Sequence, residues 1–99
     1  MDKPKLMDLV VAAIRVRHYS MRTEKAYCLW IRRHILFHGK RHPRELGKEQ
    51  LEQFFSRLAV HDQVSSSTQN QALAALLFLY KVVLELELPR LDGVIRSQR

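Results

Sequence analysis

Apolar positions recur every three to four residues in four stretches of this chain, and no stretch alternates with the two-residue period of a strand. In residues 5–16, Leu6, Leu9, Val10, Ala13 and Ile14 make one stripe, and Pro4 stands where the first turn of a helix tolerates it. A second stretch starts after Ser20 or Thr23, either of which can cap, and reaches about residue 38. Its stripe is Tyr27, Trp30, Ile31, His34 and Ile35. Residues 48–60 turn Leu51, Phe54, Phe55 and Leu58 inward. Residues 67–86 are apolar nearly all round from Ala72 to Tyr80, the pattern of a central helix that the others wrap. All three glycines and all three prolines fall between these stretches. The expectation is an all-α, compact four-helix bundle. Ninety-nine residues hold one core and bury roughly 60–70% of the extended-chain surface.

Charge changes the picture by being uneven. Residues 15–44 carry nine basic side chains (Arg15, Arg17, Arg22, Lys25, Arg32, Arg33, Lys40, Arg41, Arg44) against the single acid Glu24. Residues 46–88 carry five acids and three bases. A basic field so concentrated attracts a polyanion, of which nucleic acid and an anionic membrane are the usual two. No apolar run approaches a spanning length and residues 1–5 lack the apolar core of a signal peptide, so no membrane partner is expected. One cysteine, Cys28, allows no internal disulfide and suits the cytoplasm.

The junction Ser65-Ser66-Ser67-Thr68-Gln69-Asn70-Gln71 runs directly into the last apolar pattern. It reads as an exposed first helical turn, with Ser66 as N-cap and Gln69 completing a capping box. Free N–H groups there, at the positive end of the helix dipole, suit a phosphate. The amides of Gln69, Asn70 and Gln71 are of the type that pairs with adenine edges. The same pattern also describes an ordinary well-capped helix.

Other chemistry is thin. His34 and His38 stand four apart, but His34 lies on the apolar stripe and no acid or cysteine completes a ligand set, so no metal and no cofactor are expected. His38 and His42 instead join Lys40, Arg41 and Arg44 in a polar loop. Trp30 and Phe37, at helical spacing, read as core before they read as base-stacking groups. Tyr27 and Tyr80 likewise fall on apolar stripes, and a tyrosine nucleophile needs a base and cationic support around it.

The run from Arg15 through His18-Tyr19-Ser20-Met21-Arg22-Thr23 to Ala26-Tyr27, then Trp30-Ile31-Arg32-Arg33 and Phe37-His38-Gly39, resembles the N-terminal core-binding domain of tyrosine recombinases. Ser66 to Leu73 with Phe78-Leu79-Tyr80 is similar to the last helix of that domain. The His-Tyr-Ser and Thr-Gln-Asn-Gln-Ala-Leu strings resemble the integron integrase branch. The resemblance implies a SAM-like four-helix domain over residues 1–88 that closes on one face of duplex DNA. Residues 89–99 would begin a linker to a catalytic domain not contained in the sequence, so no catalytic residue is expected here. It implies contacts from the second and fourth helices. The candidates on and around the second are Arg17, Ser20, Arg22, Thr23, Lys25, Arg32, Arg33, Lys40 and Arg41. Those on the fourth are Ser66, Ser67, Thr68, Gln69, Asn70 and Gln71.

It also implies self-association of protomers on the recombination site. Two further readings remain: a protein-interaction module using the first and last helices, and a stand-alone DNA-binding regulator. A helix-turn-helix regulator expects a tight turn, whereas eight residues separate Gly39 from the next helix.

Overall fold

The computed structural model describes residues 5–87; Pro4 and the expected linker 89–99 lie outside them. Four helices form, and no strand occurs among the described residues. They are α1 (Leu6–Val16), α2 (Met21–Phe37), α3 (Lys48–Ser56) and α4 (Ser66–Phe78), with a 3-10 turn at Pro43–Glu45. Both α3 and α4 widen at their C-terminal ends into π turns, Arg57–His61 and Leu79–Val83. The expected all-α bundle is therefore what forms.

The helix starts follow from local chemistry. Ser20 caps α2 by accepting the Thr23 N–H at 3.1 Å, so the earlier of the two candidate caps is used. α4 begins with the same Ser-x-x-Thr device one residue before the expected place. Ser65, not Ser66, accepts the Thr68 N–H, at 3.1 Å. Gly47 opens α3, its N–H donating to Gln50 Oε1 at 2.8 Å.

The stops share one geometry. A left-handed residue follows each helical segment: His18, Gly39, Gln63 and Glu85, with φ of 58°, 73°, 51° and 54°. At α2 the Lys40 N–H reaches back to Ile35 O (2.9 Å) and the Gly39 N–H to Leu36 O (3.1 Å), satisfying the last carbonyls. Only this stop includes a glycine, which adopts the left-handed region without cost; Lys40 beside it is left-handed as well, at φ 65°.

Val10 and Ile14 of α1 meet Cys28, Trp30 and Ile31 of α2, the four inward residues of α3 and its π turn, and Ala72, Ala75, Leu76, Leu79 and Tyr80 of α4 and its π turn. Leu51, Phe54, Phe55 and Leu58 are all buried, as their spacing predicts. Each such side chain contributes about 1.5–3 kcal/mol on burial. The most extensive contact joins α2 to α4. One stripe is misplaced by the sequence reading: Leu9 is 44% exposed, because α1 packs through Val10 and Ile14, with Leu6, Met7, Val11 and Ala13 beside them, and Leu9 falls at the edge. Cys28 is buried, which raises its thiol pKa.

His34 is fully buried in a polar chain through the core. The Tyr80 hydroxyl donates to Pro43 O at 3.0 Å, so it receives the Nε2 proton of His34, 3.3 Å away. Nδ1 is left without a partner. Burial, and secondarily His38 beside it, lowers the His34 pKa to about 3, so the ring is neutral. This chain ties α2 and the π turn after α4 to the 3-10 turn.

Candidate nucleic-acid interface

Helical spacing sorts the basic residues of α2. Cys28, Trp30, Ile31 and His34 face the core, which leaves Arg22, Lys25, Leu29, Arg32 and Leu36 as the exposed outer stripe. Arg33 stands beside that stripe on the side nearer α4. Its guanidinium carbon lies 4.8 Å from the centre of the Trp30 ring, and its Nη2 is 3.4 Å from Asp62 Oδ2 in the segment leading to α4. Trp30 is itself buried, and its indole N–H points to Gln71 Oε1 at 3.4 Å. Arg33, Trp30 and Gln71 thus join the two helices at the surface. Arg32 projects about 100° further around the helix, with Lys25 and away from α4.

On α4, Ser67, Asn70, Gln71 and Ala74 are exposed at the spacing of one face. This face carries no charge and ends at Phe78, over which Arg17 lies at 5.7 Å and against which Tyr19 and Tyr27 pack at 5.9 and 5.4 Å. The first intrahelical bond runs from the Gln69 N–H to Ser65 O, and Ser65 Oγ takes the Thr68 N–H. The N–H groups of Ser66 and Ser67 precede both bonds, and first-turn donors of this kind suit a phosphate.

Gln69 is a correction. It is 1% exposed, turned into the core, and its Nε2 donates to Phe55 O at 3.1 Å. A side chain held there does not reach a groove. The carbonyl it captures lies where α3 gives way to its π turn, as expected when a side chain intrudes on the i→i−4 ladder. Ser66 also loses the capping role and is half-buried in the first turn.

The remaining candidates are dispersed. The Ser20 hydroxyl donates to Thr23 Oγ1 at 3.1 Å while capping, so both hydroxyls are engaged at the start of α2. Arg17 donates to Ala13 O. Lys40 occupies a left-handed position beyond the C-terminal end of α2, and Arg41 turns to Glu45, 3.9 Å away. His38 contacts Gln50 O of α3 at 2.9 Å and His42 Nδ1 accepts the Arg44 N–H of its own loop at 3.0 Å, so both are engaged within the domain.

Three residues absent from the sequence-based candidates belong to this surface. Asp62 sits 3.4 Å from Arg33, 3.6 Å from Arg57 and 3.0 Å from His61 Nδ1. The hydrogen bond from His61, with the charge of Arg57 beside it, holds its carboxyl below the usual range against the opposing effect of desolvation. No periodicity marks this group, because its members come together only when α2 packs beside the π turn.

The phage integrase N-terminal SAM-like domain family matches residues 6–90. The chain belongs to that family. Two relatives, each named integrase/recombinase and coming from Escherichia coli and Pseudomonas aeruginosa, are 51% identical over 94 residues, which is 95% of this chain. The chain spans 28% of the length of each. In this chain the exposed basic residues of α2 lie beside the uncharged polar residues at the start of α4. Among the described residues no helix is long and apolar enough to cross a membrane, and no cluster of three or more metal-ligating side chains occurs.

Proposed function

We propose that this SAM-like domain binds duplex DNA for a site-specific tyrosine recombinase of the integron integrase branch. In this reading α2 and α4 lie against the recombination site and hold it through phosphates, with some base contact from Asn70 and Gln71. The observation that carries the reading is the contact of Arg33 with Trp30 and of Trp30 with Gln71, which sets a cation of α2 beside the uncharged, hydrogen-bonding face of α4. Phosphates need the first and base edges need the second. The integron assignment rests on the His18-Tyr19-Ser20 and Thr68–Leu73 strings.

Strand cleavage belongs, in this proposal, to a part of the recombinase beyond these residues. Tyr80 is spent on Pro43 and His34, and burial raises the phenol pKa of both Tyr80 and Tyr27, the reverse of what a nucleophile requires. Protomers of the recombinase would also meet on DNA. Leu9 and Val16, 44% and 74% exposed on the outer side of α1, favour that helix as the contact.

Fluorescence anisotropy on an integron recombination-site duplex and on unrelated duplexes tests the DNA reading. With about six phosphate contacts, log K falls against log salt with a slope of about −5. Arg33→Ala should weaken binding equally on every duplex, whereas Asn70→Ala should weaken the recombination site selectively. Sequence-selective loss on the arginine change, or no complex in dilute salt, would overturn the proposal.

A further inference from the structure

We infer that Asp62 limits the DNA affinity of this domain by occupying, on the protein's own surface, the place a backbone phosphate would take between Arg33 and Arg57; the inference rests on the DNA-binding reading above. One carboxylate engages two guanidinium groups from different parts of the fold, Arg33 of α2 through Oδ2 and Arg57 of the π turn through Oδ1, while His61 shares Oδ1. The group is open to solvent: the side chains of Asp62, Arg33 and Arg57 are 27%, 41% and 45% exposed. An incoming phosphate oxygen meets the same two donors in competition with the carboxylate.

An acid among cations can either place them for a ligand or cancel them. Here the placement is already supplied by other groups. Arg33 lies over the buried Trp30 ring at 4.8 Å, and Arg57 over Phe37 at 5.9 Å. Ion pairs this exposed hold side chains weakly. What Asp62 adds is its negative charge, set against Arg33, whose Trp30 neighbour meets Gln71 of α4. Cancellation therefore outweighs placement, and removing the charge should tighten binding.

Asp62→Asn keeps the shape of the side chain, and the fluorescence of buried Trp30 reports whether the fold is kept. On two labelled duplexes of unrelated sequence, titrated between about 50 and 200 mM salt, the variant should bind about 3–8-fold tighter than wild type near 0.1 M. The gain should be the same on both duplexes, and the salt slope steeper by about 0.9, the signature of one more phosphate contact. In a background carrying Arg33→Gln and Arg57→Gln the same change should gain less than about twofold, since the cations it frees are gone. Equal or weaker binding by Asp62→Asn, or an undiminished gain in the double-glutamine background, overturns the inference. Failure of the wild type to bind either duplex in dilute salt overturns the DNA reading along with it, whereas a wild-type complex with an unresponsive Asp62→Asn overturns the role of Asp62 alone.

Discussion

Lowering the pH should destabilise this domain through His34. The ring is fully buried, its Nε2 proton is committed to Tyr80, and nothing meets Nδ1, so a second proton finds no partner in the native state. The native pKa is about 3 against 6.5 in an unfolded chain. Between those values the unfolded chain binds a proton that the folded one rejects, so stability is complete above about 6.5 and falls steadily as the pH drops towards 3. At about 1.4 kcal/mol per pH unit, acidification to about pH 4.5 costs about 2.5 kcal/mol from this residue alone. That is a large share of the 5–15 kcal/mol typical of a domain.

Urea unfolding at several pH values, followed by the single tryptophan, Trp30, measures the effect. His34→Gln supplies the control: its amide can still donate to Tyr80 but does not titrate. The difference between wild type and variant removes what all other groups share. That difference should change by about 2.5 kcal/mol between about pH 7 and 4.5, wild type losing more. Parallel pH profiles for the two proteins would refute the argument, since a solvated or charge-compensated His34 would produce them.

Two further outcomes follow from the corrected start of α4. Ser65→Ala should cost about 1 kcal/mol of stability in thermal unfolding by circular dichroism, because the Thr68 N–H loses its acceptor, while Ser66→Ala stays within about 0.5 kcal/mol. Equal losses would return the cap to Ser66. Gln69→Ala should destabilise by about 1–3 kcal/mol, losing the bond to Phe55 O and opening a void beside it, yet the folded fraction should bind DNA as wild type does by anisotropy. A selective loss of DNA affinity in that variant would show that Gln69 leaves the core on binding.

Much of this architecture is legible in the chain because local signals agree with the tertiary result. The inward residues of α3 and the stop at Gly39 are read from spacing and residue type alone, and the cap of α2 is narrowed to Ser20 or Thr23; each needs only its own helix to be explained. The other stops are not legible. His18, Gln63 and Glu85 adopt left-handed backbone with no glycine to announce it, because the packing that turns the chain there outweighs the local strain. The π turns at 57–61 and 79–83 escape the sequence for a similar reason, since a period of 3.6 continues to describe their apolar residues after the hydrogen bonding has widened.

The candidate surface divides along the same line. Composition and order along the chain determined that the domain is helical, that its cationic excess is concentrated in residues 15–44, and that a run of small polar residues leads into the last helix. Only the packed molecule decided which members of that run face outward. Gln69, Asn70 and Gln71 are equivalent amides in sequence, yet successive residues of a helix point about 100° apart, so one is drawn into the core by Phe55 while its neighbours stay outside. Arg32 and Arg33 are separated in the same way, and Asp62 joins Arg33 and Arg57 only because α2 lies beside the π turn. A helix's period states which residues share a side; the direction each side faces is set by what the rest of the fold buries against it.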